Sequence, residues 1–556
     1  MKGKMVSLQE KLKAFLGHRW LVFVCGMWEL SFAGTAYMFG SISPVIKASM
    51  GYNQKQVSLL ILAKDLGDNV GLLAGKISEV SPTWVVMLVG IIQNVVGYGF
   101  VWLIVTHRFP ALPLWALCVF ICLGQNGATY YNTAALVSCV RSFPESRGPV
   151  VGILKGYIGL SGAIWTQIIA MINAPDQASI IFIIAVGPAM VSCALIFIIR
   201  PVQGYKQARA SDSSGFMFIY SICLILASYI MGVLLVQNML LLDQSIITLF
   251  GVILIILILL PIIVPILLVF SSKPKSPVEE TLLEHESCSG AGHVEHEKPP
   301  KLAALPLSEG PREIVQFEAK DKTNHKNGPQ RGEDYNLTQA LVNADFWIMF
   351  FSLVMGSGSG LTVINNIGQM CQSLGDNNVN VYISVISISN FLGRVAGGYF
   401  SEVIVRNFGY PRLVALAVVQ AVMALGLFYY SLGLVGQVYV LAISNGFGYG
   451  AHWSIALAAT SELFGLKSFG TLLNFLTMAN PVGSLFLSGF VASTIYDYYA
   501  EQQANHGNDE LLVCKGNICF SVTCGILATV CIFATALSLI LVHRTRMFYA
   551  QLYGKF

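Results

Sequence analysis

Stretches of roughly 20 apolar residues recur along the chain, and a helix of that length rises about 30 Å, the thickness of a bilayer's hydrocarbon. They begin near Trp20, Val57, Trp84, Leu112, Val150 and Ile180, then near Phe216 and Ile246, and again near Phe346, Val381, Leu413, Val435, Leu472 and Ile518. The pattern predicts an all-α membrane protein of about 14 spanning helices, grouped six, two and six. Composition leads the same way. Of 556 residues 55% are hydrophobic and 11% charged, against about 25% charged in soluble domains. The net charge of +4 is too small and too scattered for a nucleic-acid partner.

The sequence divides into an N-terminal tail (1–19), a six-helix bundle (20–200), an inserted helix pair (216–270), a polar linker (271–345), a second six-helix bundle (346–543) and a C-terminal tail (544–556). The linker's Lys, Glu, Pro and His content predicts disorder. The leader is basic, but the run after it is long and lacks a small-residue cleavage site, so it reads as a retained first helix. With the N-terminus inside, 17 basic residues of the tails and short loops fall on the inner side and four on the outer side. That bias places both termini and the linker in the cytosol.

One phrase is written twice: GLLAGKISEV from Gly71 and GRVAGGYFSEV from Gly393. SMGYN from Ser49 pairs with SLGDN from Ser373, and GATYYN from Gly127 with GAHWSI from Gly450; the three offsets are 322, 324 and 323. Matches at nearly one offset indicate two copies of a six-helix unit, the parallel repeat of the major facilitator fold. The glycines Gly71, Gly75, Gly393 and Gly397 sit at spacing four, where helices approach closely. Arg394 followed by Glu402 resembles the facilitator loop signature, which latches the two halves on the inner side. The first copy offers Lys76 and Glu79 instead. These residues are expected to be packing and gating elements.

WELSFAGTAYMFGSISPVIK, AKDLGDNVGLLAG, ILKGYIGLSGA, TQALVNADFWIMFF and SELFG resemble the plant nodulin-like proteins of the major facilitator superfamily, across both six-helix units and the inserted pair. Those proteins are distantly similar to oxalate/formate exchangers, which implies a small organic anion as cargo. Glu29 departs from the uncharged residue, usually Gln, that the resemblance leads one to expect.

The charges at membrane depth are Lys64, Lys155, Arg394, Glu29, Asp65 and Asp68. Each costs roughly 2.5 to 3.5 kcal/mol at the bilayer centre and must face a partner or water. Lys64 and Asp68, four apart on one helix face, are expected to pair; Asp65 points about 100° away. Lys155 aligns with the neutral Thr477, so the scaffold shared by both halves does not demand its charge. It is the leading substrate-binding residue, and the alternative is an ion pair with Asp65, Asp68 or Glu29. Glu29 is the leading proton-coupling group, with His452, Asp65 and Asp68 as further candidates; a fixed pair with Lys64 or Lys155 is its alternative. In a facilitator fold, helices one, four, seven and ten line the cavity. Tyr130, Tyr131 and Trp453 could then sandwich a ligand beside His452, while Asn126, Asn132, Asn365 and Asn366 supply hydrogen bonds.

Cys514 and Cys519 flank the last outer loop and could form a disulfide. The linker histidines lack metal-ligand spacing, so no metal is expected. No nucleophile elbow, phosphate loop or zinc helix motif is present, and neither enzymatic activity nor a cofactor is expected. The expected partners are a small-molecule substrate, protons and the lipid bilayer, with the chain a monomer in the plasma membrane or the vacuolar or endomembrane system. The leading function is secondary active transport, as symporter or antiporter. The alternative is a non-transporting receptor or scaffold that signals through the linker.

Overall fold

The structure is a computed structural model that describes residues 9, 11–52, 54–172, 177–202, 210–240, 242–270, 330–376, 379–503 and 514–554. The first apolar run is split into α1 (Arg19–Ala33) and α2 (Phe39–Met50) at Gly34. A side chain at Gly34 would collide with Ser161, so the bend brings backbone against a neighbouring helix. The second run is split into α3 (Gln54–Asn69) and α4 (Leu72–Val80). Carbonyls freed by that break cannot stay unpaired inside a membrane protein. Asn126 Nδ2 donates to Gly67 O and Val70 O at 2.8 and 2.7 Å, and Thr129 Oγ1 donates to Asp68 O at 2.9 Å.

The first bundle continues with α5 (Thr83–Val105), α6 (Leu114–Ser142), α7 (Arg147–Ile172) and α8 (Gln177–Leu195). Pro82 and Pro113 stand just before α5 and α6, where the missing N–H costs no helix bond. The inserted pair is α9 (Ala210–Met239) and α10 (Gln244–Leu259), followed by α11 (Ile263–Phe270). Gln167 of α7 and Gln237 of α9 exchange amide hydrogen bonds at 2.8 and 3.0 Å. Phe216 of α9 packs on Trp20, Phe23 and Phe143, while Tyr220 meets Tyr399 of the second bundle. The insertion thus touches both bundles.

The second bundle comprises α12 (Leu337–Val342), α13 (Ala344–Leu374), α14 (Val379–Val403), α15 (Leu413–Ser431), α16 (Gln437–Leu463), α17 (Phe469–Thr477), α18 (Ala479–Ser484), α19 (Ser493–Gln503) and α20 (Ile518–Leu552). A disulfide joins Cys514, just before α20, to Cys519 in its first turn. Nine helices of the described residues are long and apolar enough to cross a membrane, and the chain is an integral, multi-pass membrane protein. The runs that fall short of that measure, among them α3–α4, α6, α7 and α16, carry the interruptions and polar residues that gather at the centre. Large apolar side chains such as Phe197, Leu425 and Val435 point outward, as a lipid solvent allows.

Of the polar linker expected to be disordered, 271–329 lie outside the described residues. Residues 330–345 are ordered. Gly332 N donates to Leu463 O and Tyr335 N to Phe464 O at 2.9 and 3.0 Å, while Asp334 Oδ1 accepts from Leu466 N and Lys467 N, both at 3.0 Å. Asn336 opens α12 with a capping box closed by Gln339, and Asp345 is clasped by Arg331 and Arg544 at 2.7 and 2.5 Å. Composition over a long window hid these specific partners.

The two bundles meet most closely where α7 crosses α14. There a side chain on Gly152 would meet Gly398 Cα at 2.9 Å and Arg394 O at 2.8 Å, so the backbones touch. Gly75 of α4 likewise abuts the Gly470–Thr471 backbone, and Gly71 abuts Asn474. Gly393 and Gly397 also bring helices close together, in their case inside the second bundle, against Phe447 and Ala451.

Candidate functional site

At the face where α4, α6 and α7 approach α14, α16 and α17, arginines cross from one bundle to backbone oxygens of the other. Arg141 Nη2 donates to Lys467 O and Leu466 O at 2.9 and 3.1 Å, Arg147 to Ser461 O, and Arg406 to Glu145 O. Beneath them Arg412, fully buried, donates to both oxygens of Glu462 at 2.7 to 2.9 Å and pairs with Glu402 at 2.6 Å; Glu402 also holds Arg406 at 2.6 Å. An Asn474 Nδ2 to Thr133 Oγ1 bond of 2.9 Å joins the bundles one layer further in. This face is shut, and we call it the basic face. Of the loop-signature residues expected to latch the halves, Glu402 belongs to the Arg412 cluster at this face, and Arg394 lies deeper, where its Nη1 donates across the bundles to Lys155 O. Lys76 and Glu79 form a local pair at 3.4 Å.

Beyond that seal lies a polar cavity of about 110 Å³ between the bundles. Lys155, Arg394 and Asp68 line it, with Asn132, Tyr449 and Trp453. Lys155, 6% exposed, donates to Asn132 Oδ1 at 3.1 Å. Among the described residues no carboxylate lies within ion-pair distance of it, so the alternative of a fixed pair is not what the chain adopts. Arg394 Nε donates to Asn390 Oδ1 at 2.7 Å and Nη1 to the backbone oxygen of Lys155 at 2.8 Å. Asp68 is exposed to the cavity and accepts from Gln125 Nε2 at 2.9 Å. The expected Lys64–Asp68 pair is replaced by Lys64–Asp65 at 2.7 Å, because a long lysine arm spans the 100° between adjacent positions. Thr477, the repeat partner of Lys155, lines the same cavity, so that alignment holds in space.

Other expected site residues point elsewhere. On α6, Ala128, Thr129 and Asn132 face the cavity. Tyr130 and Tyr131, one and two steps round the helix, are buried inside the first bundle at 2% and 1% exposure. On α16, Tyr449 and Trp453 share the cavity face, and His452 is turned away into the second bundle. There its Nδ1 donates to Gly448 O at 2.7 Å, its Nε2 faces Gln420 Nε2 at 3.2 Å, and Gln420 continues to Ser352 and Ser538. His452 thus has both nitrogens engaged in a closed network and does not line the cavity. Glu29 is likewise buried between α1 and α8, accepting from Ser192 Oγ at 2.5 Å, with its other oxygen unpartnered among the described residues. It pairs with neither Lys64 nor Lys155 and does not line the cavity. Asn126 is spent on the break in α3–α4, and Asn365 and Asn366 bond Ser484 and Ser488.

The sequence reading missed Arg412, Glu462 and Arg147 at the seal, and Asn474, Asn480 and Tyr449 at the cavity. Glu462 lies in SELFG, a stretch that stood out for its resemblance alone. Nothing short of the fold marks Asn474 or Asn480.

Comparison with known proteins agrees with this architecture. Residues 19–266 match the Nodulin-like family model, and residues 333–551 match the model described as NFD4, C-terminal domain. Protein NUCLEAR FUSION DEFECTIVE 4 of Arabidopsis thaliana is 26% identical over 549 residues, 96% of this chain and 90% of that protein. The Probable transporter MCH1 of Yarrowia lipolytica is 24% identical over 221 residues, 37% of this chain and 43% of its own length. Among solved structures, the proton:xylose symporter XylE bound to 6-bromo-6-deoxy-D-glucose superposes with TM-score 0.53 at 11% identity, covering 95% of this chain and 96% of that one. A bacterial homologue of the iron transporter ferroportin, in an outward-facing state, gives 0.53 at 10% identity, covering 95% and 100%. The chain is thus similar to nodulin-like proteins through the first bundle and inserted pair and to NFD4 through the second bundle, and it has the major facilitator fold.

Proposed function

We propose that this protein is a secondary active transporter that moves a small organic anion by alternating access, with protons as the coupling ion. One observation carries the reading: Lys155 is a buried ammonium without a carboxylate partner among the described residues, set in a cavity between two bundles that are sealed on one face. Burying an unpaired charge is expensive, and an anionic cargo would neutralise it in transit. The seal is made of hydrogen bonds between bundles, so opening it needs no change inside either one. Relatives and structural neighbours described as a probable transporter and a proton symporter support the class.

Of the coupling candidates Glu29, His452, Asp65 and Asp68, Asp68 is favoured. It is the carboxyl that faces the cavity, and Lys64, Asp65, Lys155 and Gln125 are the charged and polar groups around it. A carboxyl beside a lysine responds to whether that lysine is occupied by an anion, which links proton and cargo. The sequence bias puts the basic face in the cytosol, and one chain encloses the pathway, so a monomer suffices.

Reconstitution tests the reading. Proteoliposomes carrying the wild-type chain should accumulate a labelled short carboxylate when a pH gradient is imposed, and Lys155→Gln should abolish uptake while eluting as a folded monomer. Saturable binding without movement across the membrane would instead favour a receptor.

A further inference from the structure

The cavity's hydrogen-bonding inventory narrows the cargo further. Trp453, 4% exposed, lines the cavity, and its Nε1–H has no partner among the described residues. A buried indole N–H left unpaired costs free energy, and here it borders the space that a ligand would fill. Among the described residues Lys155 makes one side-chain hydrogen bond, to Asn132, and an ammonium carries three donors. These donors ask for a group with several acceptor lone pairs, which a carboxylate has. Asp68 asks for the opposite. Its carboxylate accepts one side-chain hydrogen bond among the described residues, from Gln125, and it lies within electrostatic reach of Lys155.

Two limits apply to whatever joins these groups. The first is size: about 110 Å³ is a little less than the roughly 150 Å³ of an engineered cavity that takes benzene, so the space among these groups suits a solute of a few heavy atoms. The second is charge. Lys155 and Arg394 against Asp68 leave the lining one positive charge in excess, which a monoanion cancels and a zwitterion does not. A hydroxyl suits Asp68 better than an ammonium for another reason: it can donate to the carboxylate or accept from the protonated carboxyl, and so stays bonded through a proton cycle.

The geometry points to a short α-hydroxy monocarboxylate, of two or three carbons, as the cargo: its carboxylate on Lys155 and the Trp453 N–H, its hydroxyl on Asp68. This assignment rests on the anion-transport reading above and makes Asp68 and Trp453 specificity-determining residues.

The test is counterflow of labelled lactate and propionate in proteoliposomes at equal pH on both sides, which isolates recognition from proton driving. The two solutes share carboxylate and chain length and differ in the hydroxyl. Lactate should exchange with a KM about ten- to hundredfold lower, the worth of one hydrogen bond to a charged group. Asp68→Ala should bring the two KM values together. Trp453→Phe keeps the ring and loses the N–H, so it should raise both KM values by a similar factor and leave their ratio unchanged; it guards against an Asp68 variant that fails to fold. Equal KM for lactate and propionate in the wild type overturns the assignment while leaving anion transport standing. Alanine preferred over lactate overturns it in favour of a zwitterion. Exchange of no carboxylate at all overturns the anion reading and the assignment with it.

Discussion

Replacing Gly152 with valine should drive the two bundles apart at the basic face without unfolding either. A side chain at this position meets Gly398 Cα at 2.9 Å and Arg394 O at 2.8 Å. Both are backbone atoms of the opposite bundle, so rotamer changes cannot relieve the overlap. Overpacking of this kind costs about 1 to 3 kcal/mol. The cost falls only on the state in which α7 and α14 touch. Since every 1.4 kcal/mol is a tenfold change in an equilibrium constant, the ratio of closed to open basic face should fall roughly fivefold to 150-fold. Spin labels on the turns near Glu145 and Arg406, joined by a hydrogen bond across the face in the closed state, would report the opening as a longer distance population. Gly397→Val is the control: a side chain there meets Ala451 and Ser454 of its own bundle, so it should lower thermal stability and leave the distance distribution alone. Gly99, with nothing within 4 Å, should tolerate alanine silently. If Gly152→Val leaves the distribution unchanged in a folded sample, the backbone contact is not what holds the face shut.

Arg412→Met leaves Glu402 and Glu462 buried against each other, and breaking a buried ion cluster this way costs about 3 to 5 kcal/mol; the apparent melting temperature should drop by many degrees and partly recover when Glu462→Gln is added. Asp334→Ala removes the acceptor of two backbone N–H groups in the turn that Arg141 grips, so amide exchange across 463–468 should quicken with little change elsewhere in α16. His452→Gln should lower stability by unsettling the Gln420 network and leave the pH profile of transport in place; a profile that flattens would return His452 to the coupling machinery.

The architecture was legible because membrane insertion writes itself into long windows: apolar runs, a repeat at offsets of 322 to 324 and three basic residues left over at depth are all properties of whole segments. The costly charges were legible for the same reason, and Lys155, Arg394 and Asp68 do meet at the cavity. Their partners were not, because partnership depends on which way a helix is turned. On α6 the repeat matched GATYYN to GAHWSI, setting Thr129 against His452 and Tyr130 against Trp453. In space Thr129 and Trp453 face the cavity, whereas His452 and Tyr130 do not. The two helices are turned by about one residue, 100°, relative to the alignment. Such a twist is invisible in spacing alone, since it is set by what packs behind each helix: the first bundle's apolar core behind Tyr130, the Gln420 and Ser538 hydroxyl network behind His452.

That twist has a functional corollary. Had both halves kept the same face inward, the cavity would present similar groups from opposite sides, and a small cargo could bind in two orientations. Instead the first half supplies Lys155 and Asp68, and the second supplies Arg394, the Trp453 indole and the neutral Thr477 where a second lysine would stand. The two halves therefore present different groups to the cavity. The halves share a scaffold and differ at the cavity, and an asymmetric lining holds an asymmetric solute better in one orientation than in its reverse.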